Sequence, residues 1–367
     1  MKFSRASRRQ VAGFSLLALL VACQAAPVRS ADAVDPRRYD LVQDPVGAAA
    51  WEKAQAALSR NDCAAALPDL RVAIERSPDF VRAHLAYQHA ARAVGGAELQ
   101  GMLDYYRNLP AGKSSVPAYC RARLADTHYA QGTALHEILK GDPSFAWAHL
   151  SLARVYRGKG QVLQAVEAYE KALVNDPRLH EARIERAQLL VEAGRYEEAA
   201  VDYEKYLAQV PADLDAVQQL AELDIYRLRR IDQALVLLAQ LEAKRGNDTT
   251  VQMDRAAAQW MAGDPRAAVK TYLRVLEGAP DNSRALLNIG LLYYEVLPTN
   301  PAQRNVFWPR ARAAFELFLA KGAPQDGHEE YERSLAVPYR MKVIGDQIGK
   351  PRRQPATLAD LALPGNG

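Results

Sequence analysis

Two patterns of apolar and polar positions divide the chain. The first is a single run from Val11 to Ala22, apolar apart from Gly13 and Ser15 and preceded by Lys2, Arg5, Arg8 and Arg9. At 12 residues it is well short of the roughly 20 that span a bilayer as a helix. Cations followed by a short apolar core make a secretion signal. The second pattern is periodic. The segment from Ala146, AWAHLSLARVYRGKGQVLQAVEAYEKALVNDP, and the segment from His180, HEARIERAQLLVEAGRYEEAAVDYEKYLAQVP, match at an interval of 34 residues. Ala153 pairs with Ala187, Gly160 with Gly194, Ala165 with Ala199, Tyr169 with Tyr203 and Pro177 with Pro211.

Five matched features at that interval resemble the tetratricopeptide repeat, whose unit is two antiparallel helices. The residue types suit such a unit. Small residues at its eighth and twentieth positions let the helices approach, and the aromatic at its twenty-fourth fills the gap between neighbours. Glycine relaxes the backbone of the turn, and proline near the end stops the second helix. The resemblance implies an all-α fold, a tetratricopeptide α-solenoid wound as a right-handed superhelix of antiparallel helix pairs.

The register extends both ways. Ala66, Leu70, Ala73 and Pro78 mark an earlier unit, and Ala256, Gly263, Ala268, Tyr272 and Pro280 a later one from Thr249. Leu220, Ala221, Ala234 and Leu238 make a unit stretched by one residue. Gly290 and Tyr293 open another at Ser283, with PTNPAQRNVFWPR inserted before Ala311, Phe315 and Phe318. Between 79 and 145, Leu85, Ala86, Leu135, Ile138 and Pro143 permit two more units with degraded motifs. The expected organisation is a signal at 1–22, a tether at 23–46 and a solenoid at 47–325 with six clear and two degenerate units. Capping helices follow at 326–348, closing the last apolar face as solenoids require, then a disordered tail at 349–367.

Leu20-Val21-Ala22-Cys23 resembles the lipobox of bacterial lipoproteins, which implies a mature chain starting at an acylated Cys23. The other reading is an ordinary signal cut after a small residue such as Ala33. Gln24 matches the outer-membrane sorting rule of such lipoproteins, and Ser7-Arg8-Arg9-Gln10-Val11 resembles a twin-arginine export motif. The expected location is therefore the bacterial envelope, on the outer membrane and facing the periplasm. Cys63 and Cys120 are then the remaining thiols, either a disulfide or two small apolar residues.

The net charge of +4 belongs to the signal: without its four cations the chain carries 43 basic and 43 acidic residues. No basic stripe marks a nucleic-acid partner, and Lys350-Pro351-Arg352-Arg353 reads as a solvated tail cluster. Motifs for chemistry are missing. His136 and His180 each precede a glutamate, but Lys140 and Ile184 stand where HExxH needs its second histidine, and no GxSxG, P-loop or GxGxxG occurs. No enzyme activity, cofactor or metal is expected.

A ligand would meet the stripe that first helices turn inward. In the resembled family this is the second, fifth, ninth, twelfth and thirteenth positions. Here these give Trp147, Leu150, Arg154 and Arg157; then Glu181, Ile184, Gln188 and Glu192; then Asp215, Gln218, Glu222 and Tyr226. Met253, Trp260 and Met261 follow, and last Arg284, Leu287, Leu291 and Tyr294. Aromatic, methionine and arginine side chains are those enriched where proteins recognise proteins, although Trp260 and Leu287 would also suit burial between units. The clamp that holds chaperone C-termini in this family needs lysine and asparagine where Leu150 and Arg154 stand, so that partner is not expected. Phe307 and Trp308 either pack back on the solenoid or bind a partner. The function expected is a scaffold or adaptor that binds proteins or peptides and reaches the membrane through its N-terminal lipid. The alternatives are a glycan-binding accessory of polysaccharide export, with aromatics stacking on sugars, or a glycan-modifying enzyme using cleft carboxylates.

Overall fold

The computed structural model describes residues 39, 42, 44–110, 114–321, 333–348 and 355–364. The signal and Cys23 lie outside them. Eight antiparallel helix pairs follow one another, each helix packing chiefly on its neighbours in sequence. The first three pairs are α1 (Pro45–Leu58) with α2 (Cys63–Arg76), α3 (Val81–Val94) with α4 (Gly96–Asn108), and α5 (Val116–Ala122) with α6 (His128–Gly141). Then come α7 (Ala146–Gly158) with α8 (Val162–Asn175) and α9 (His180–Glu192) with α10 (Tyr196–Leu207). The last three are α11 (Leu214–Leu223) with α12 (Ile231–Arg245), α13 (Thr249–Met261) with α14 (Pro265–Gly278), and α15 (Ser283–Leu291) with α16 (Pro301–Ala320). A final helix, α17 (Val337–Ile348), packs on α16. No described helix is long and apolar enough to cross a membrane.

The repeat residues do what their sizes suggest. Ala153, Ala165, Ala187 and Ala199 are fully buried, as is the Tyr169 ring, and Tyr203 and Tyr272 are nearly so. The tyrosine hydroxyls add a polar tie that spacing alone did not reveal. Tyr169 O–H donates to Glu185 at 3.0 Å and Tyr203 O–H to Gln219 at 2.6 Å, while Tyr272 Oη accepts from Asn288 Nδ2 at 3.2 Å. Each tie runs from a second helix to the sixth residue of the next unit, so it locks adjacent pairs in register.

A second tie joins the turn prolines to the helices they precede. His84 Nε2 lies 3.0 Å from the Pro78 carbonyl, His149 Nε2 lies 2.9 Å from that of Pro143, and Arg183 Nη2 donates to that of Pro177 at 2.8 Å. A carbonyl only accepts, so Nε2 of His84 carries the proton and Nδ1 of the neutral ring accepts from Tyr106 O–H at 2.9 Å. Burial pushes the His84 imidazole down to about 4, against the Pro78 carbonyl and Asp79, which favour the charged form. The unfolded chain therefore takes up a proton near pH 6.5 that the folded chain refuses until about pH 4, and stability falls as pH falls through that window. The stability advantage of wild type over His84→Gln should shrink by roughly 3 kcal/mol between pH 7 and 4 in urea melts. An advantage independent of pH would contradict the neutral ring.

The stretched unit takes up its extra residue as a π-type turn, Asp224–Leu228, directly after α11. Gly160, Gly194 and Gly263 close the equivalent turns with φ of +70°, +73° and +84°, and Arg229 holds that left-handed place at φ +57°, where a side chain costs about 1 kcal/mol. A second π-type turn, Leu292–Val296, follows α15.

Three expectations are corrected. The segment Pro301–Arg310 is not an inserted loop but the first half of α16, started by Pro301 and by the Asn300 side chain accepting from Gln303 N–H at 3.1 Å. Its Phe307 stacks on Tyr293 and its Trp308 on Tyr294, both nearly buried. The tail is ordered over 355–364: a 3₁₀ turn at Leu358–Leu361 buries Leu361, whose carbonyl accepts from Tyr293 O–H at 2.7 Å. The end of the tether is also docked, since Tyr39 is buried, meets Phe145 edge to face at 4.7 Å and donates to Asp142 at 3.2 Å.

Candidate partner-binding cleft

Four consecutive first helices, α9, α11, α13 and α15, open one face onto a cleft of about 830 Å³. Gln188 and Glu192 come from α9, Glu222 from α11, Tyr226 from the π-type turn, and Met253 and Trp260 from α13. These six were predicted from the stripe, as were Met261 and Arg284, which also line it. Tyr203, Gln219, Tyr272 and Asn288 join them as the floor. Those four belong to the tyrosine ties, so the contacts that hold units in register also build the cleft. The signal for them was present in the recurring twenty-fourth position, which had been read as packing alone.

The remaining predicted residues are placed elsewhere. Trp147 is 2% exposed and lies beneath Arg82, whose guanidinium carbon is 5.2 Å from the ring centroid. Arg82 also pairs with Glu181, joining α3 to α9 across two intervening units. The first helix of the third unit, α5, has 7 residues, and α3 reaches α9 over this short element. The N-terminal end of the stripe is thereby covered. Arg154 is part-buried and held by Glu185, Nε to Oε2 at 2.8 Å, and Arg157 is held by Glu192 at 2.5 Å. Leu287 and Leu291 are core residues, and Tyr294 is half-buried against Trp308 rather than in the cleft. Cys63 and Cys120 are both free thiols. The second unit stands between their helices, and burial pushes the Cys120 thiol up to about 12.

The cleft mixes apolar anchors with both signs of charge. Trp260 is half-buried, while Tyr226 and Met261 are each 37% exposed. Met261 also accepts from Arg229 Nη1 at 3.1 Å, so the strained Arg229 is fastened to the rim. Tyr226 O–H donates to Asp254 Oδ1 at 2.9 Å. Burial first, then the charges of Glu222 and Asp248, push the Asp254 carboxyl up to about 6, while the Tyr226 bond and Arg284 act the other way. Among the described residues no group of three or more His, Cys, Asp or Glu side chains could hold a metal ion. What the geometry suits is an extended or helical segment laid across four helices, with hydrophobic anchors and charged flanks.

The tetratricopeptide repeat family model matches residues 150–213 and 253–295, the first spanning most of units four and five and the second most of unit seven and the first helix of unit eight. Those two stretches carry tetratricopeptide repeats. The chain is similar to DnaJ homolog subfamily C member 3 of Bos taurus, 26% identical over 215 residues that cover 55% of this chain and 41% of that protein. The Gallus gallus protein is 25% identical over 257 residues, 66% of this chain and 46% of that protein. The chain thus spans less than half the length of these curated relatives. Among solved structures it is similar to YrrB, described as a TPR protein with an unusual peptide-binding site, at 19% identity, TM-score 0.44 and coverage of 57% of this chain and 99% of that one. It is also similar to PilW, a type IV pilus biogenesis factor, at 18% identity, TM-score 0.41 and coverage of 57% and 98%.

Proposed function

We propose that this protein is a non-enzymatic tetratricopeptide scaffold that holds segments of partner proteins in the cleft between α9 and α15, tethered to the outer membrane by lipid on Cys23 and facing the periplasm. The observation that carries the binding part is the convergence of Tyr226, Met253, Trp260 and Met261 from successive units on one cleft. An aromatic anchor in a partly desolvated pocket is where binding energy concentrates, about 2 kcal/mol or more per hot spot. Lipid on Cys23 supplies location, and several acyl chains anchor stably where one does not.

Trp260→Ala should therefore reduce capture of envelope proteins by purified, immobilised protein by about tenfold or more, with helical content unchanged. Capture unaffected by the substitution removes the cleft from the account. Retention on polysaccharide gels that disappears with Trp260→Ala would instead favour the glycan-binding alternative. A fatty-acid analogue should label the native chain in cells and not Cys23→Ala; an unlabelled native chain removes the anchor and leaves the cleft standing.

A further inference from the structure

Between the fourth and eighth units the ladder of tyrosine ties has one break. The interval of 16 residues that links Tyr169 to Glu185, Tyr203 to Gln219 and Tyr272 to Asn288 also ends at Asp254, but there it begins at Leu238, a fully buried side chain with no donor. Asp254 is left with Tyr226 alone. The tyrosine holds Oδ1, and Oδ2 has no hydrogen-bond partner. The residue is 7% exposed and lines the cleft together with Tyr226, Met253 and Trp260.

A buried carboxylate oxygen without a donor is expensive, and native folds keep few of them. The surroundings say which donor would suit this one. Glu222 lines the same cleft and its charge opposes ionisation of Asp254, as does that of Asp248. Arg284 favours ionisation, but it is already engaged in contacts of its own and does not reach Oδ2. A neutral donor would satisfy the oxygen and leave the repulsion from Glu222 in place. A cationic donor relieves both, and its aliphatic stem can lie along Met253 and Trp260.

We infer that Asp254, backed by Glu222, is the specificity residue of the cleft and takes a lysine or arginine side chain of the bound segment. The inference rests on the reading of the cleft as the partner site. In the complex the basic group donates to Oδ2 while Tyr226 keeps Oδ1. Leu238 is then part of the device, because a tyrosine at that place would supply the donor internally, as Tyr169 and Tyr203 do in two other units.

The test uses the full chain in mild detergent on an array of synthetic decapeptides, with each residue type fixed in turn at a central position. Wild type should retain lysine- and arginine-centred peptides about tenfold better than norleucine-centred ones. Asp254→Asn should abolish that preference. Leu238→Tyr should abolish it too, by donating to Asp254 from the floor of the cleft while leaving the carboxylate in place, and serves if Asp254→Asn folds poorly. A preference that survives in both variants, or no basic preference in wild type, overturns the assignment while leaving the cleft reading intact. A wild-type chain that retains no peptide, or a Trp260→Ala chain that binds the array as well as wild type, removes the cleft reading and this inference with it.

Discussion

Replacing Gly290 by alanine should destabilise the protein by about 1–3 kcal/mol, although the same change in an isolated helix would stabilise it by about 1 kcal/mol. Gly290 is the eighth residue of the last unit, the place occupied by Ala153 and Ala187 in the fourth and fifth units. In those units a methyl group fits. Here a Cβ would meet Phe315 Cε1, and lie 2.6 Å from Cδ1 of the same ring. The ring has no exposed surface to swing into, because Tyr294 and the neighbouring aromatic stacks of α16 enclose it. Overpacking therefore outweighs helix propensity. Thermal unfolding followed by circular dichroism should show the midpoint lowered by roughly 5 °C, with Gly290→Ala/Phe315→Leu recovering most of the loss. A raised midpoint in the single variant would mean that the two helices of the eighth unit do not pack as described.

Most of the fold could be read from the sequence because the repeat is a statement about distance. Small residues at fixed places mark where backbones approach, and Ala153, Ala187, Tyr169 and Tyr203 all occupy the interior that their sizes require. The eighth unit shows the limit of that reading. The 13 residues Pro298–Arg310 fell outside the repeat register and read as an insertion, yet proline needs only local relief of one backbone bond, and burying Phe307 and Trp308 outweighs that cost. The ordered tail was missed for a related reason: its proline- and arginine-rich composition hides Leu361, whose partner, Tyr293, lies 68 residues away.

The cleft was half legible. Position rules from a regular solenoid located Gln188, Glu192, Glu222, Tyr226, Met253 and Trp260, where the first helices of units five to eight open onto one cleft. They failed at Trp147, because Arg82 and Glu181 meet across the third and fourth units, and at Leu287 and Leu291, because the last groove faces inward to the core of α16. Nothing local to those residues announces either event. Asp254 was passed over because a single carboxylate on a helix normally means solvation, and only the break at Leu238 distinguishes it.

The second large effect concerns where partners touch the chain. Ala257 lines the cleft on α13, one helical turn from Trp260, whereas Val236 on α12 is 60% exposed and outside it. A photo-reactive residue at position 257 lies within reach of any segment laid along Met253 and Trp260. The same residue at position 236 meets only what collides with the outer surface. Burial of an aromatic anchor accounts for a large share of the affinity of such a site, so Trp260→Ala should remove the partner and its adduct together.

The most direct measurement is therefore in-cell photo-crosslinking from position 257, with position 236 as reference. The account predicts discrete protein adducts from 257 that vanish with Trp260→Ala and are absent from 236. Adducts of equal yield from both positions, or adducts from 257 that persist without Trp260, would contradict a cleft that holds its partners.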